Sequence, residues 1–245
     1  MRIGFNWEHR WRGLLYTTVV QAAYGRMHMV DYDLQALTPL GIRSEQALPI
    51  LRTGSEEETS ADRLVNEGGL AGVPWVMIHP GARYWFKAWP PERFAALIDR
   101  FDQEKTAVGL VGDRRDHEVA ERIRELTKYR PVSLVGRTSL LELAALMKRC
   151  VLFIGNDAGP MHMAAAVGTP VMALFGPSDP SVWGPRGSKV EVIYKGLDCR
   201  RCFHPTCERG PDSCMNQISV EEVMQAADRL LRLAPHTSNL QPVRS

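Results

Sequence analysis

The hydrophobic positions from Val73 onward alternate between two patterns. Short apolar runs predict the buried strands of a parallel sheet, and apolar residues three or four positions apart predict amphipathic helices. The predicted strands are Trp75–His79, Ala107–Val111, Val132–Val135, Val151–Ile154, Val171–Phe175 and Val190–Tyr194. The predicted helices are Pro91–Phe101, Asp116–Thr127, Ser139–Arg149, Ala158–Val167 and Ser219–Leu233. Ser139 and Ser219 each have a glutamate three residues later, which predicts a capping box at the start of both helices. This alternation predicts an α/β fold, a doubly wound, Rossmann-like parallel sheet that binds ligands at the carboxyl ends of its strands.

Before Val73 the pattern is less regular. Leu14–Val20 is apolar and predicts a strand, and Asp31–Leu40 predicts a helix that stops at Gly41. Ile42–Glu58 contains a proline, a glycine and three consecutive glutamates, which is typical of a linker. Ser60–Asn66 predicts a short helix.

The stretch Phe153–Pro177 combines a strand, a turn at Gly155-Asn156-Asp157, a helix of small residues and a second strand. Backbone N–H groups at Asp157–Gly159 would point out of the start of the helix, where an anion such as phosphate is favoured. A carboxylate repels phosphate, so Asp157 would instead bind the hydroxyls of a sugar. The alternative is that Asp157 only caps the helix. His162, one turn further on, would face the same edge of the sheet or serve as a structural histidine.

Three consecutive segments of this stretch carry a family resemblance. The segment Asn156–Ala166 reads NDAGPMHMAAA, and Gly168-Thr169-Pro170 and Phe175-Gly176-Pro177 follow it. Together they resemble the signature of glycosyltransferase family 9, the ADP-heptose:lipopolysaccharide heptosyltransferases. The resemblance implies that heptose is transferred from an ADP-heptose donor to the lipopolysaccharide core. It also implies a two-domain GT-B architecture that requires no cofactor.

Two segments that follow the first strand of the regular series offer cations for a diphosphate. His79-Pro80-Gly81-Ala82-Arg83 contains a glycine that allows close approach of the backbone to a ligand. Arg83 and Lys87 are suitable cations, although Arg83 could equally be a solvated surface residue. In the family, a lysine followed by Trp-Pro contacts the phosphate and sugar of the donor, and Lys87 stands at that position. The resemblance therefore implies catalytic roles for Lys87 and Asp157.

The next two strand ends are candidates for the nucleoside. The family has an acidic residue for the ribose near the start of the following helix, and Asp116 is our choice, with Asp113 and Glu118 as alternatives. These acids could equally be present only because they suit a helix N-terminus. In the family the next loop lies along the adenine, where Thr138 and Leu140 could flank the base or merely form a turn and a cap. The complete predicted donor site is Gly81, Arg83, Lys87, Asp116, Thr138, Leu140, Asp157, Ala158, Gly159 and His162.

Four of the five cysteines lie close together, at Cys199, Cys202, Cys207 and Cys214. The two-residue gap between the first pair is typical of metal ligands, and four thiolates suit zinc or iron. The cluster is therefore a candidate structural metal site. Cys150 ends a predicted helix and is expected to be a small core residue.

Composition adds limits on partners and location. The net charge of +2 over 245 residues does not indicate a nucleic-acid partner. No apolar run reaches the roughly 20 residues of a membrane span, and the N-terminus lacks the apolar core of a signal peptide. We therefore expect a cytoplasmic protein, with peripheral contact to the inner membrane left open.

The resemblance covers about Arg2 to Leu233 and implies an incomplete N-terminal domain. Residues 1–58 are predicted to be a remnant of the acceptor domain with a linker, residues 59–234 the donor nucleotide-sugar-binding domain, and residues 235–245 a flexible tail. The general base is then expected outside the chain, so that the chain binds the donor but transfers little. The stray candidates for a base near the N-terminus are Glu8, His9, His28, Asp31 and Asp33.

Two other functions remain open. One is a non-catalytic domain that binds an ADP-sugar without turnover. The other is a sugar-nucleotide epimerase of GT-B shape, for which the sequence shows no specific motif.

Overall fold

The computed structural model of the chain describes residues 1–6, 11–44, 47–199, 202 and 207–233. They form two compact units. The smaller unit contains residues 1–48 together with 179–184, and the larger contains residues 49–178 together with the described residues from 185 onward. The division into domains at residue 58 stays a prediction.

The smaller unit is built on two short parallel strands, β1 (Ile3–Phe5) and β2 (Thr18–Val20). They are followed by α1 (Met29–Leu34), whose Tyr32 is buried and stacks on Phe5 with a ring-centroid distance of 4.3 Å. The predicted strand at Leu14–Val20 is thus correct only for its last three residues. The predicted helix at Asp31–Leu40 is α-helical only to Leu34 and continues as a 3-10 helix that contains Pro39, which has no N–H to donate.

The larger unit alternates strands and helices in the predicted order. Its strands are β3 (Trp75–His79), β4 (Ala107–Leu110), β5 (Val132–Ser133), β6 (Leu152–Asn156), β7 (Val171–Phe175) and β8 (Val190–Tyr194). Its helices are α2 (Ser55–Glu67), α3 (Pro91–Gln103), α4 (His117–Leu126), α5 (Leu140–Met147), α6 (Gly159–Ala166), α8 (Cys214–Gln217) and α9 (Val220–Leu233), while α7 (Pro180–Trp183) belongs to the smaller unit.

The six strands of the larger unit form one parallel sheet in the order β5-β4-β3-β6-β7-β8. The chain builds the sheet outward from β3 to β5 and then returns to the other side of β3 with β6. The order therefore reverses between β3 and β6, where a doubly wound sheet leaves a crevice for a ligand. This arrangement confirms the predicted fold class.

Both faces of the sheet are covered, which explains the continuous apolar runs of its strands. Alternate residues of a strand point to opposite faces. Val76 and Ile78 of β3 pack into one hydrophobic cluster with Trp89 and Phe94, whereas Trp75 and Met77 belong to a second cluster on the other face. Cys150 is buried in that second cluster, as predicted, and burial raises the pKa of its thiol to about 12.

Two local predictions are wrong for physical reasons. The acidic run that we interpreted as linker is the first turn of α2, where the helix dipole favours negative charge. Asn156 was assigned to a turn, yet it is the last residue of β6 and lies opposite Leu174 in β7. The predicted capping boxes at Ser139 and Ser219 are both present.

None of the helices in the described part of the chain is both long enough and apolar enough to cross a membrane.

Glu58 links α2 to the residues that follow α5. Its carboxylate accepts hydrogen bonds from Lys148, at 2.7 Å, and from Thr53 and Arg149. The hydrogen bond from Lys148 is the largest cause that lowers the pKa of Glu58 to about 2. Because the pKa is lowered in the folded protein, the charged carboxylate stabilises the fold above its ordinary pKa, and this contribution is lost as the pH falls from about 4.5 towards 2.

We expect Glu58→Gln to reduce the free energy of unfolding by about 1 kcal/mol at pH 7, a value that allows for partial exposure. The difference from the unaltered protein should shrink below pH 4.5, because the native carboxyl group is then being protonated as well. Urea unfolding between pH 3 and 7 measures both. Glu56→Gln, exposed in the same helical turn, is the control and should change stability by less than about 0.5 kcal/mol. A loss that does not depend on pH would contradict the assignment.

Candidate active site

A buried amide organises the crevice between β3 and β6. Asn156 is 1% exposed, and its Oδ1 accepts a hydrogen bond from the backbone N–H of Trp89 at 3.1 Å. Its Nδ2 donates to the carbonyl oxygens of Pro80, at 2.8 Å, and Gly81, at 3.3 Å. One side chain at the end of β6 therefore holds both segments that follow β3.

Lys87 and Asp157, the two residues predicted to be catalytic, contact each other directly. The Nζ of Lys87 donates to Oδ2 of Asp157 at 2.5 Å, and the two side chains are 21% and 8% exposed. Asp157 does not cap α6, because the N-cap is Ala158 and no side chain makes the capping hydrogen bond. The interpretation of Asp157 as a helix cap is therefore wrong. The pair brings a cation for phosphate and an acceptor for sugar hydroxyls to one point.

Trp89 fixes the segment that carries Lys87. Its ring is 1% exposed and packs edge-on against Phe94 with a centroid distance of 4.8 Å. Its indole N–H donates to the carbonyl oxygen of Ile218 at 3.0 Å. The backbone N–H of Trp89 is the one held by Asn156, so Lys87 is two residues from an anchored position.

The structure distinguishes among the three acids proposed for the ribose. Asp113 caps the 3-10 turn at residues 114–116, and the Arg115 guanidinium hydrogen-bonded to it holds the pKa of that carboxyl below its usual range. Glu118 is exposed in the first turn of α4. Asp116 completes the same capping box by accepting the N–H of Asp113, as the helix N-terminus alternative predicts, but it also lies at the crevice, with its Oδ2 3.6 Å from Nε2 of His79 at the end of β3. The geometry favours Asp116.

Two glycines leave the space that Asp116 occupies. A Cβ atom at Gly81 would collide with the Asp116 carboxylate, and one at Gly112 would lie 2.5 Å from its Oδ2. Gly81 was predicted to let a ligand approach the backbone. In the structure it is the Asp116 carboxylate that approaches Gly81.

The predicted adenine loop lies beside the ribose loop. The backbone N–H of Gly136 donates to the carbonyl oxygen of Gly112 at 2.9 Å, which joins the two loops. Leu140, the first residue of α5, is 71% exposed, and Thr138 is partly buried. An exposed leucine at this strand end is available to a flat aromatic base.

The other predicted donor residues take different positions. Ala158 and Gly159 open α6, whose first N–H groups have no acceptor within the helix. His162 lies in the first turns of α6 and is partly buried. Arg83 is exposed, and its guanidinium carbon is 5.4 Å from the centroid of Tyr84. The structure thus shows Arg83 against Tyr84 and not against the Lys87–Asp157 pair.

Sequence analysis missed two residues of this site, Asn156 and His79. Asn156 was assigned to a turn and to the family motif, and His79 to the end of a strand and the segment after it, but neither was given a role. A buried amide or imidazole can be suspected when a polar residue ends an apolar run. Its partners cannot be known from the sequence, because they lie in segments far away along the chain, 37 to 76 residues from it.

Three of the four clustered cysteines lie around one cavity. Cys202, Cys207 and Cys214 line a cavity of about 180 Å³ together with Trp85, Phe86 and Met215. Burial and the neighbouring cysteines raise the pKa of the Cys202 and Cys214 thiols. Among the described residues, no group of three or more histidines, cysteines or acids is positioned to hold a metal ion. The zinc or iron site stays a prediction.

The early candidates for a general base are only partly described. Glu8 and His9 lie outside the described residues. His28 caps α1, with its Nδ1 accepting from the N–H of Val30 at 3.2 Å, and its Nε2 is 2.9 Å from the carbonyl oxygen of Gly184. Because both ring nitrogens are engaged, His28 has a structural role in this conformation. Asp33 is exposed on α1.

Comparison with known proteins places these features in a family. The family model described as glycosyltransferase family 9 (heptosyltransferase) matches residues 1–211. Lipopolysaccharide heptosyltransferase 3 of Escherichia coli is 33% identical over 242 residues, which cover 94% of this chain and 68% of that protein.

Solved structures agree with this comparison. The family 9 glycosyl transferase from Veillonella parvula superposes with a TM-score of 0.81 at 28% identity, covering 91% of this chain and 65% of its own. The E. coli ADP-heptose lipopolysaccharide heptosyltransferase II gives a TM-score of 0.75 at 27% identity, covering 95% and 70%. The chain spans about two thirds of the length of each of these relatives.

We expect Asn156→Asp to destabilise the protein by more than about 2 kcal/mol at pH 7, because a carboxylate would face two carbonyl oxygens in a buried position. Urea unfolding measures the change. Asn66→Asp is the matched control, since Asn66 donates the same kind of amide hydrogen bond to Asp62 on an exposed face of α2. Its cost should stay below about 1 kcal/mol. Equal losses for the two variants would show that Asn156 does not organise the crevice.

Elemental analysis of protein purified without added metal checks the predicted metal site. We expect close to one zinc or iron per chain, and less than a tenth of that after Cys202 and Cys214 are both changed to serine. Retention of the same metal content by the double variant would exclude these thiols as ligands.

Proposed function

The chain belongs to glycosyltransferase family 9, and we propose that it transfers heptose from an ADP-heptose donor to a sugar of the lipopolysaccharide core. Membership of the family makes it a glycosyltransferase. Its structural relative from E. coli is an ADP-heptose lipopolysaccharide heptosyltransferase, which suggests ADP-heptose as donor and lipopolysaccharide as acceptor. These relatives favour a transferase over a non-catalytic binding domain.

The order of the strand ends along the sheet is the observation that carries the proposal. Four neighbouring strands of the sheet lie in the order β5, β4, β3, β6. β5 leads into the loop predicted for adenine, β4 into Asp116, β3 into the segment with Lys87, and β6 into Asp157. An ADP-sugar has the same order of parts: base, ribose, diphosphate and sugar. The three strand spacings correspond to about 14 Å. An extended donor that lies across the carboxyl edge would meet a suitable group at each strand.

The chemistry follows from the charges at the third and fourth strands. Cleavage of the donor leaves negative charge on ADP, and a fixed cation near that charge lowers the barrier. Lys87 and the first N–H groups of α6 supply positive potential there. Asp157, and His162 on the same helix, would hold the hydroxyls of the heptose. In the ligand-free protein Asp157 holds Lys87 in place, and the diphosphate would take over this cation when it binds.

The acceptor and the location of the enzyme are part of this proposal. The acceptor would be a sugar of the lipopolysaccharide core, which requires the enzyme to work where that lipid is assembled. A cytoplasmic position at the inner face of the inner membrane suits this role. The chain's own residues supply the donor half of the reaction, and the base for the acceptor hydroxyl is not assigned.

Isothermal titration calorimetry with ADP, UDP and GDP tests the nucleotide. We expect ADP to bind at least about tenfold more tightly than UDP or GDP, and ADP-heptose more tightly still. The preference should arise because the base lies against the loop with Thr138 and Leu140. Equal binding of the three nucleotides, or no binding, would contradict the proposal.

Two variants test the binding of the diphosphate and the binding of the sugar separately. Lys87→Gln should weaken ADP and ADP-heptose alike by about 10- to 100-fold, because the diphosphate loses a charged partner. Asp157→Asn should leave ADP binding unchanged or tighter and lower the preference for ADP-heptose over ADP by about tenfold. Lys105→Gln is the control. Lys105 is exposed in the turn before β4, at the amino-terminal ends of the strands, and its substitution should change the affinity for neither ligand. An equal loss of both ligands with Asp157→Asn would refute its role at the sugar.

A further inference from the structure

His79 is a buried histidine at the switch point of the sheet that the proposed mechanism does not yet use. It is the last residue of β3, between β4 and β6, and only 7% exposed. Its Nε2 lies 3.6 Å from Oδ2 of Asp116. Its Nδ1 is buried and has no hydrogen-bond partner within the described part of the chain. A polar atom without a partner at this depth calls for an explanation.

The surroundings decide which nitrogen carries the proton. A neutral imidazole has one N–H and one bare nitrogen. An N–H directed at a carboxylate is attracted to it, whereas a lone pair in the same position is repelled. The proton therefore belongs on Nε2, and His79 directs a donor at Asp116. The bare Nδ1 is then the atom left without a partner.

Asp116 is held from its other sides by backbone. Its Oδ2 accepts the N–H of Asp113 at 2.9 Å. Its carboxylate fills the space beside Gly81 and Gly112, where a Cβ atom on either glycine would collide with it or crowd it. The carboxylate can therefore shift over only a short range, and the imidazole stands on one side of that range.

We propose that His79 is a positioning residue for Asp116. When the ribose hydroxyls of the ADP-sugar bind the Asp116 carboxylate, the 3.6 Å distance between Nε2 of His79 and Oδ2 of Asp116 shortens to that of a hydrogen bond. This inference rests on the proposed function. Distances in a ligand-free site are commonly long and shorten in the complex. An N–H directed at Oδ2 also orients the carboxylate, whose remaining lone pairs can accept both hydroxyls.

A purely structural histidine would behave differently. It would be expected to have its buried nitrogens satisfied, and its loss would weaken the fold or the binding of every nucleotide equally. A positioning residue affects only ligands that carry the hydroxyl groups which Asp116 binds. The ribose hydroxyls of the ligand are therefore the decisive variable.

The experiment compares ADP with 2′,3′-dideoxy-ADP by calorimetry on the full chain. Three variants of His79 change where its hydrogen-bond donor lies. His79→Gln puts an amide N–H near the position of Nε2, His79→Asn puts it near Nδ1, and His79→Leu removes it. His117→Leu is the control, because His117 is an exposed histidine at the start of the neighbouring helix α4.

We expect the unaltered protein and the His117 variant to prefer ADP over the dideoxy analogue by about 10- to 100-fold, the range for hydrogen bonds to a charged group. His79→Leu and His79→Asn should reduce this preference about tenfold while leaving the affinity for the dideoxy analogue unchanged. His79→Gln should keep most of it. Circular dichroism verifies folding, and the Gln and Asn variants decide the question if the Leu variant does not fold.

Each contrary outcome is distinct. An equal loss of affinity for both ligands, or a preference that no variant changes, refutes the role of His79. Binding of ADP without any preference over the dideoxy analogue refutes the role of Asp116 as well, and leaves the donor assignment intact. If ADP does not bind to the unaltered protein, the proposed function fails, and the inference fails with it.

Discussion

The buried amide of Asn156 is the constraint on which the site depends. An amide at this depth must have its donors and acceptor paired, because an unpaired polar group costs about 1–3 kcal/mol. Its partners are the backbones of the two segments after β3. Once β6 pairs with β3, satisfying this side chain sets the positions of the Gly81 and Lys87 segments together.

The site combines charges that would be unfavourable if they stood alone. Lys87 and Asp157 are partly withdrawn from water and neutralise each other at 2.5 Å. A buried pair of this kind contributes little net stability, because its attraction is offset by desolvation. In the proposed function its value lies at the donor site, since the contact keeps both side chains oriented. The Asp116 carboxylate is also partly withdrawn from water. It occupies the space left by Gly81 and Gly112 and lies beside the His79 imidazole.

The accuracy of the sequence predictions depended on how local each signal is. The six strands and the capping boxes of α5 and α9 rest on neighbouring residues, and they were predicted to within a few positions. The acidic start of α2 was misread because a charged run looks alike in a linker and in a first helical turn. In the folded chain its last residue, Glu58, is held by Lys148 and Arg149, about 90 residues away. Asp157 was open between a cap and a site residue, and only its contact with Lys87 excludes the cap.

The sequence by itself determined the fold class and the family, and it showed which strand ends carry polar and charged side chains, because periodicity, turn residues and the Asn156–Ala166 motif are all local patterns. Only the tertiary structure decided which of those groups meet. The sheet order puts β3 between β4 and β6, so residues 37 to 76 positions apart, such as His79 with Asp116 and Asn156 with Pro80, become neighbours. Such pairs are created by strand pairing and by the burial of polar groups. A one-dimensional pattern does not contain that information.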